Sequence, residues 1–193
     1  MNKTVFVLAM ILLLKVLTSC CECLESSIFR YTFNSIETVH INNAGEKPIF
    51  VNDGTISKEA YGLLIRLSLS QIAAGSRLSG FSSANAMRCD CPPEMQYIAQ
   101  DSLAGIRIFT LNDFDAAHLS DSDISDFFSV NYASISDYLE NPAKVYYDPV
   151  AQDSIIMYLM YAPEFSGEHQ FKVEIAISDG STLSAVSSPI ILE

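Results

Sequence analysis

Five cysteines are the most reactive side chains of this 193-residue chain: Cys20, Cys21, Cys23, Cys89 and Cys91. Four of them form two Cys-x-Cys pairs, Cys21/Cys23 and Cys89/Cys91. Thiols so placed can close disulfides, ligate a metal as thiolates or stay free. A bond within one Cys-x-Cys is strained, so disulfides between the two pairs are expected, in either of two connectivities. They would close loops of about 70 residues and stabilise by a few kcal/mol. Structural zinc usually takes wider Cys-x2-4-Cys spacing. A four-thiolate zinc site and free thiols stand as the alternatives, and no metal is assigned.

Other chemistry is thin. His40, His118 and His169 are isolated along the chain. His40 and His169 lie in strand-like runs, where a structural or surface role is expected of a histidine. Acids cluster in Asn112–Asp126, at Asp113, Asp115, Asp121, Asp123 and Asp126. Clustered carboxylates are raw material for calcium, but the EF-hand glycine and terminal glutamate are missing. Helix capping and turn formation are the expected roles there, with calcium the alternative. The chain has nine Tyr, 11 Phe and no Trp. Tyr146 and Tyr147, or Tyr158 and Tyr161, could offer rings to a sugar face. The absence of Trp weakens that reading, and packing is the expected use. No nucleophile elbow, phosphate loop, zinc-protease motif or dinucleotide fingerprint is present. No cofactor is implied, and the expectation is a protein that is not an enzyme.

The N-terminus reads as a targeting segment. Met1-Asn2-Lys3 is positive, and Thr4–Leu14 is apolar but too short to span a bilayer as a helix. Leu17-Thr18-Ser19-Cys20 resembles the bacterial lipobox: leucine, two small residues, then the cysteine that is acylated and becomes the new N-terminus. Cleavage before Cys20 would leave nine bases against 23 acids, a net charge of −14 against −12 for the whole chain. Such acidity repels nucleic acid, so the expected partner is a membrane reached through lipid on Cys20. An envelope protein or a glycan could be a further one.

Behind these residues lie many short strands. Tyr61–Ser70 alternates over ten residues, with Tyr61, Leu63, Ile65, Leu67 and Leu69 on one face. Ile28–Phe33, Val39–Ile41, Ile49–Val51, Ile106–Leu111 and Ile155–Tyr161 read as further strands. His169–Ser178 alternates into Asp179-Gly180, and Ser181–Leu192 returns. This predicts a hairpin with a type I′ turn, and Pro189 implies a free edge on the returning strand. Residues 75–94 read as a long loop. Asp123–Asn141 spaces Phe127, Phe128, Tyr132, Ile135, Tyr138 and Leu139 in a roughly helical way, predicting one or two short helices capped by Ser or Asp that stop before Pro142. The fold class expected is mainly β: an immunoglobulin-like or transthyretin-like β-sandwich. The expected organisation is a signal peptide over 1–19, a lipidated tether over 20–28 and one domain over 29–193.

The run Ile106–Asp115 (IRIFTLNDFD), continuing through His118 to Asp121–Phe128 (DSDISDFF), together with the lipobox and the Asp-Gly hairpin, resembles uncharacterised lipoproteins of Bacteroides and its relatives, catalogued as DUF5034. The resemblance implies an outer-membrane lipoprotein, facing the periplasm or the surface, with no assigned activity. The functional expectation is a lipid-anchored binding or scaffolding domain of the cell envelope. The alternatives are a glycan- or ligand-binding accessory of a nutrient-uptake system and an adhesin or pilus-type subunit.

Overall fold

The computed structural model of the chain describes residues 27–72, 95–140 and 154–193. The expected signal segment, Cys20, Cys21, Cys23, Cys89, Cys91, Tyr146 and Tyr147 all lie outside these residues. The chain divides into two units, Met1–Phe29 with Ala73–Ile98 and Arg30–Ile72 with Ala99–Glu193. Of the first, only residues 27–29 and 95–98 are described, as parts of the strands β1 (Ser27–Asn42) and β5 (Met95–Ala99).

The chain is mainly β, as its alternation implies. Its remaining strands are β2 (Ile49–Val51), β3 (Thr55–Ile56), β4 (Tyr61–Ile72), β6 (Leu103–Thr110), β7 (Phe128–Val130) and β8 (Ser154–Leu159). They continue with β9 (Gly167–His169), β10 (Phe171–Ile177), β11 (Thr182–Val186) and β12 (Ile190–Leu192). One sheet contains the order β2-β1-β4-β8-β7, a second runs β11-β10-β6, and a third runs β3-β12-β9. All pairings in these orders are antiparallel except β12 with β3.

The core follows the period-two pattern. Tyr61, Leu63, Ile65 and Leu67 of β4 are buried, and so are Phe171, Val173, Ile175 and Ile177 of β10. These two rows belong to one cluster of buried side chains. The Tyr61 and Phe171 rings meet at 5.3 Å, and Phe128 meets Phe171 edge-on at 6.0 Å. Each large side chain so buried contributes about 1.5–3 kcal/mol before entropy is counted. His40 is among the buried polar residues, 1% exposed. Its Nε2 lies 2.9 Å from the Ser188 carbonyl, which only accepts, so Nε2 carries the proton. Nδ1 then accepts from the Tyr61 hydroxyl at 2.9 Å. Burial lowers the His40 pKa below its ordinary value and pushes the Tyr61 hydroxyl well up.

Four local expectations are revised. Ile28–Phe33 and Val39–Ile41 are parts of one strand, β1, which carries a bulge between Phe33 and Ser35 in its pairing with β4. The Asp179-Gly180 hairpin forms, but only Gly180 has a positive φ, at 91°. The amide of Gly180 donates to the Ile177 carbonyl, and that of Ile177 to Ser181. This is a type I turn closed by a glycine bulge rather than a type I′ turn. The returning segment is not one strand. β11 ends at Val186, and β12 joins a different sheet after Pro189, which has no N–H to continue a ladder. Finally, Ser125–Phe127 is a 3-10 turn and Phe128–Val130 is strand β7, so only Ile135–Glu140 (α1) is an α-helix. Helical spacing of aromatics there gave way to pairing of β7 with β8.

Candidate functional site

β7 is followed by two residues in the left-handed region, Asn131 (φ 48°) and Tyr132 (φ 68°). Val130 and Ala133 exchange both backbone hydrogen bonds across them, each 2.9 Å. That is the type I′ geometry, whose second central position usually holds glycine. Asparagine tolerates positive φ, whereas a tyrosine there is strained by its Cβ. The Tyr132 ring projects from this turn and is 79% exposed.

Three elements fix that ring. It stacks on Tyr158 of β8, with centroids 5.9 Å apart and planes 21° apart. Tyr158 in turn lies over Gly62 of β4, its register partner. A Cβ on Gly62 would come 2.8 Å from the Met157 carbonyl oxygen and 3.2 Å from the Tyr158 ring. The glycine therefore makes the seat on which Tyr158 rests. Desolvation, with the neighbouring Tyr132 hydroxyl, raises the Tyr158 pKa. On the other side, α1 starts from Ser134, whose Oγ accepts from the Asp137 amide at 3.0 Å and donates to the Asp137 carboxylate at 2.7 Å. This reciprocal cap sets the helix immediately after the strained turn.

Tyr132 stands on the rim of a groove of about 560 Å³. The groove lies where β6 and β7, the last strands of their respective sheet orders, are approached by α1. Its apolar wall includes Ile135, Leu139 and Met160. Its polar groups include Arg107, Asp126 and Glu174. Arg107 donates to Glu174 at 2.9 Å, and Lys172 reaches the other oxygen of Glu174 at 3.1 Å. These exposed pairs contribute little to stability but fix a hydrogen-bonding edge. Tyr161, 64% exposed, lines the groove and is braced edge-on by Phe127 at 5.6 Å. Ser129 also lines it, and its buried Oγ has no partner among the described residues.

The residues singled out in the sequence fall elsewhere or divide. The histidines do not converge on the groove. His40 is in the core. His169 is buried, its Nε2 donating to the Phe165 carbonyl at 2.8 Å. His118 sits in its own loop with Nδ1 2.9 Å from the Asp115 carboxylate. Asp115 also accepts from the amides of Ala117 and His118. Partial desolvation works against it, but the hydrogen bonds from His118 and Ala117 hold the Asp115 carboxyl below the usual range. Asp113 accepts from the Ser120 amide, and Asp123 from the Ser125 amide and hydroxyl. These carboxylates are thus engaged in turns. Among the described residues no group of three metal-binding side chains occurs. Of the tyrosines, Tyr158 and Tyr161 do take part, as support and rim. Helical spacing in the sequence hides the turn position of Tyr132. The signal for it was Asn131, a residue that tolerates positive φ, directly after the strand-like Phe127-Phe128-Ser129-Val130.

Residues 33–188 match the family described as Domain of unknown function (DUF5034). No curated protein and no solved structure matches the chain.

Proposed function

The chain belongs to the DUF5034 family, and from that premise we propose that it is a non-enzymatic binding domain, lipid-anchored at the outer membrane through Cys20. The groove rimmed by Tyr132 and Tyr161 is its binding surface. The observation that carries this reading is the Tyr132 backbone. A tyrosine held in the left-handed region costs of the order of 1–2 kcal/mol, and such strain clusters at ligand-binding sites. An exposed aromatic ring beside a mixed polar and apolar groove is the usual composition of a recognition site. The lipobox at Leu17–Cys20 supports the anchor, and two or three acyl chains hold stably where one binds only marginally. A glycan is a second occupant for the groove, because the rings of Tyr132 and Tyr161 present open faces to it.

Two experiments test the parts separately. Cys20→Ala should abolish labelling by a palmitate analogue; continued labelling removes the anchor. The full chain should bind members of a combined glycan and linear-peptide array, and Tyr132→Ala should remove that binding. An array with no reproducible partner refutes the groove.

A further inference from the structure

The sheet order β11-β10-β6 ends on an open strand edge. The Ile177 amide donates to the Ser181 carbonyl, and the Ser187 amide to the Phe171 carbonyl. These two bonds bracket β11 and fix its parity. Leu183 and Ala185, opposite Ile175 and Val173, turn their N–H and C=O groups towards β10. Thr182, Ser184 and Val186 turn theirs outward. The register runs without a shift from Thr182 to Val186. The outward groups meet no partner among the described residues. All three residues are exposed, Val186 by 52%.

Proteins usually keep strand edges short, charged, bulged or covered. Other edges of this chain follow that rule. β2, β7 and β9 hold three residues each, and β3 holds two. At the opposite end of the β11-β10-β6 order, the segment 121–125 bonds to Ile108 and Thr110 of β6. β11 has none of these devices. Thr182-Leu183-Ser184-Ala185-Val186 contains no charge and no proline.

We propose that β11 is a dimer edge, on which a second copy of this chain adds its own β11 in antiparallel register about Ser184. A second copy is the occupant because the strand complements itself, as a two-fold contact requires. With Ser184 on the axis, Thr182 meets the copy's Val186 and Leu183 meets the copy's Ala185. The first pair joins two β-branched side chains on the outer face. The second sets a large side chain against a small one on the core face, where Leu183 and Ala185 are only partly buried. Thr182, Ser184 and Val186 each exchange two backbone bonds with the copy, six in all. The charges tolerate this pairing. Glu174 neighbours Ser184, so the Glu174 residues of the two copies stand three strand spacings apart. That is about 14 Å, beyond the screening length of about 8 Å at physiological salt. Each Glu174 is also matched by Arg107 and Lys172 of its own chain. The dimer has a consequence for the groove. Gly105, Ala176 and Thr182 lie side by side across β6, β10 and β11 and line it. The copy's Val186 would follow Thr182 and lengthen that row.

Sedimentation of the full chain should show a monomer–dimer equilibrium. The contact is small, so the series runs up to about millimolar protein. Each chain carries a net charge of −12, so the buffer holds about 0.3 M salt to screen repulsion between copies. Ser184→Lys places like charges on the axis, and Ser184→Pro removes an outward amide that the monomer does not use. Both changes lie on an exposed edge and should leave the circular dichroism spectrum native. Each should weaken dimerisation on the order of tenfold or more. In the unsubstituted chain, amide exchange at Thr182, Ser184 and Val186 should slow as concentration rises. Leu183 and Ala185, already bonded to β10, should change little. A monomer at every concentration overturns the proposal. So does dimerisation that both substitutions leave intact, or that leaves exchange at Thr182, Ser184 and Val186 unchanged.

Discussion

Replacing Tyr132 by alanine and by glycine isolates the strain in the type I′ turn. Both variants lose the aromatic ring and its stacking on Tyr158, so that loss cancels between them. They differ only in a Cβ at a residue whose φ is 68°. At an ordinary extended or helical position alanine is the more stable of the two, by about 0.5–1 kcal/mol. In the left-handed region the Cβ clash costs about 1–2 kcal/mol, which exceeds that preference and reverses the order. Tyr132→Gly should therefore be more stable than Tyr132→Ala by about 1 kcal/mol, or roughly 2–4 °C in Tm for a chain of this size. Thermal and urea unfolding measure the difference. Binding should fall equally in both, since the ring is absent from both. Alanine at least as stable as glycine would refute the turn geometry, and with it the account of how Tyr132 is displayed.

Gly62→Ala should destabilise by about 1–3 kcal/mol, since its Cβ would press on the Met157 carbonyl at 2.8 Å; it should also weaken ligand binding by unseating Tyr158, read by denaturation and titration together. Ser134→Ala removes the cap on α1 and should cost about 1 kcal/mol in urea unfolding. Burial keeps His40 neutral in the fold, with a pKa below the 6.5 of the unfolded residue. Its contribution is full above pH 6.5 and is lost as the unfolded state takes up a proton on acidification. Stability measured from pH 8 to pH 5 should therefore fall less steeply in His40→Gln than in the native chain.

Much of the scaffold was legible because it is written in local alternation. β4 and β10 show a period of two over seven residues or more, and burial of one face is then forced. Asp179-Gly180 announced its hairpin, although the turn type depended on a bulge that two residue names do not distinguish. The segment from Phe127 to Tyr132 misled because its aromatics satisfy helical spacing by coincidence. Its conformation is decided by β8, which lies far along the chain and offers β7 a partner, pairing Phe128 with Leu159 and Val130 with Met157. Pro189 implied a free edge on one returning strand; it falls instead between β11 and β12, and the change of sheet there depends on β3 and β9. The groove was invisible for the same reason. Arg107 and Glu174 are 67 residues apart, and Ser134, Tyr132 and Gly105 share no motif.

The long strand β1 also has a mechanical meaning. It is antiparallel to β4 through twelve residue pairs, from Arg30↔Ile72 to Asn42↔Tyr61, and β2 flanks it at the far end. A lipid on Cys20 would transmit any drag on the domain into the chain just ahead of Ser27. Tension directed along β1 would load that ladder in shear, with its hydrogen bonds sharing the force rather than parting one after another. The same pairing that builds the sheet would then serve as the tow point of an anchored protein, and single-molecule extension from the N-terminal end should meet its main resistance there.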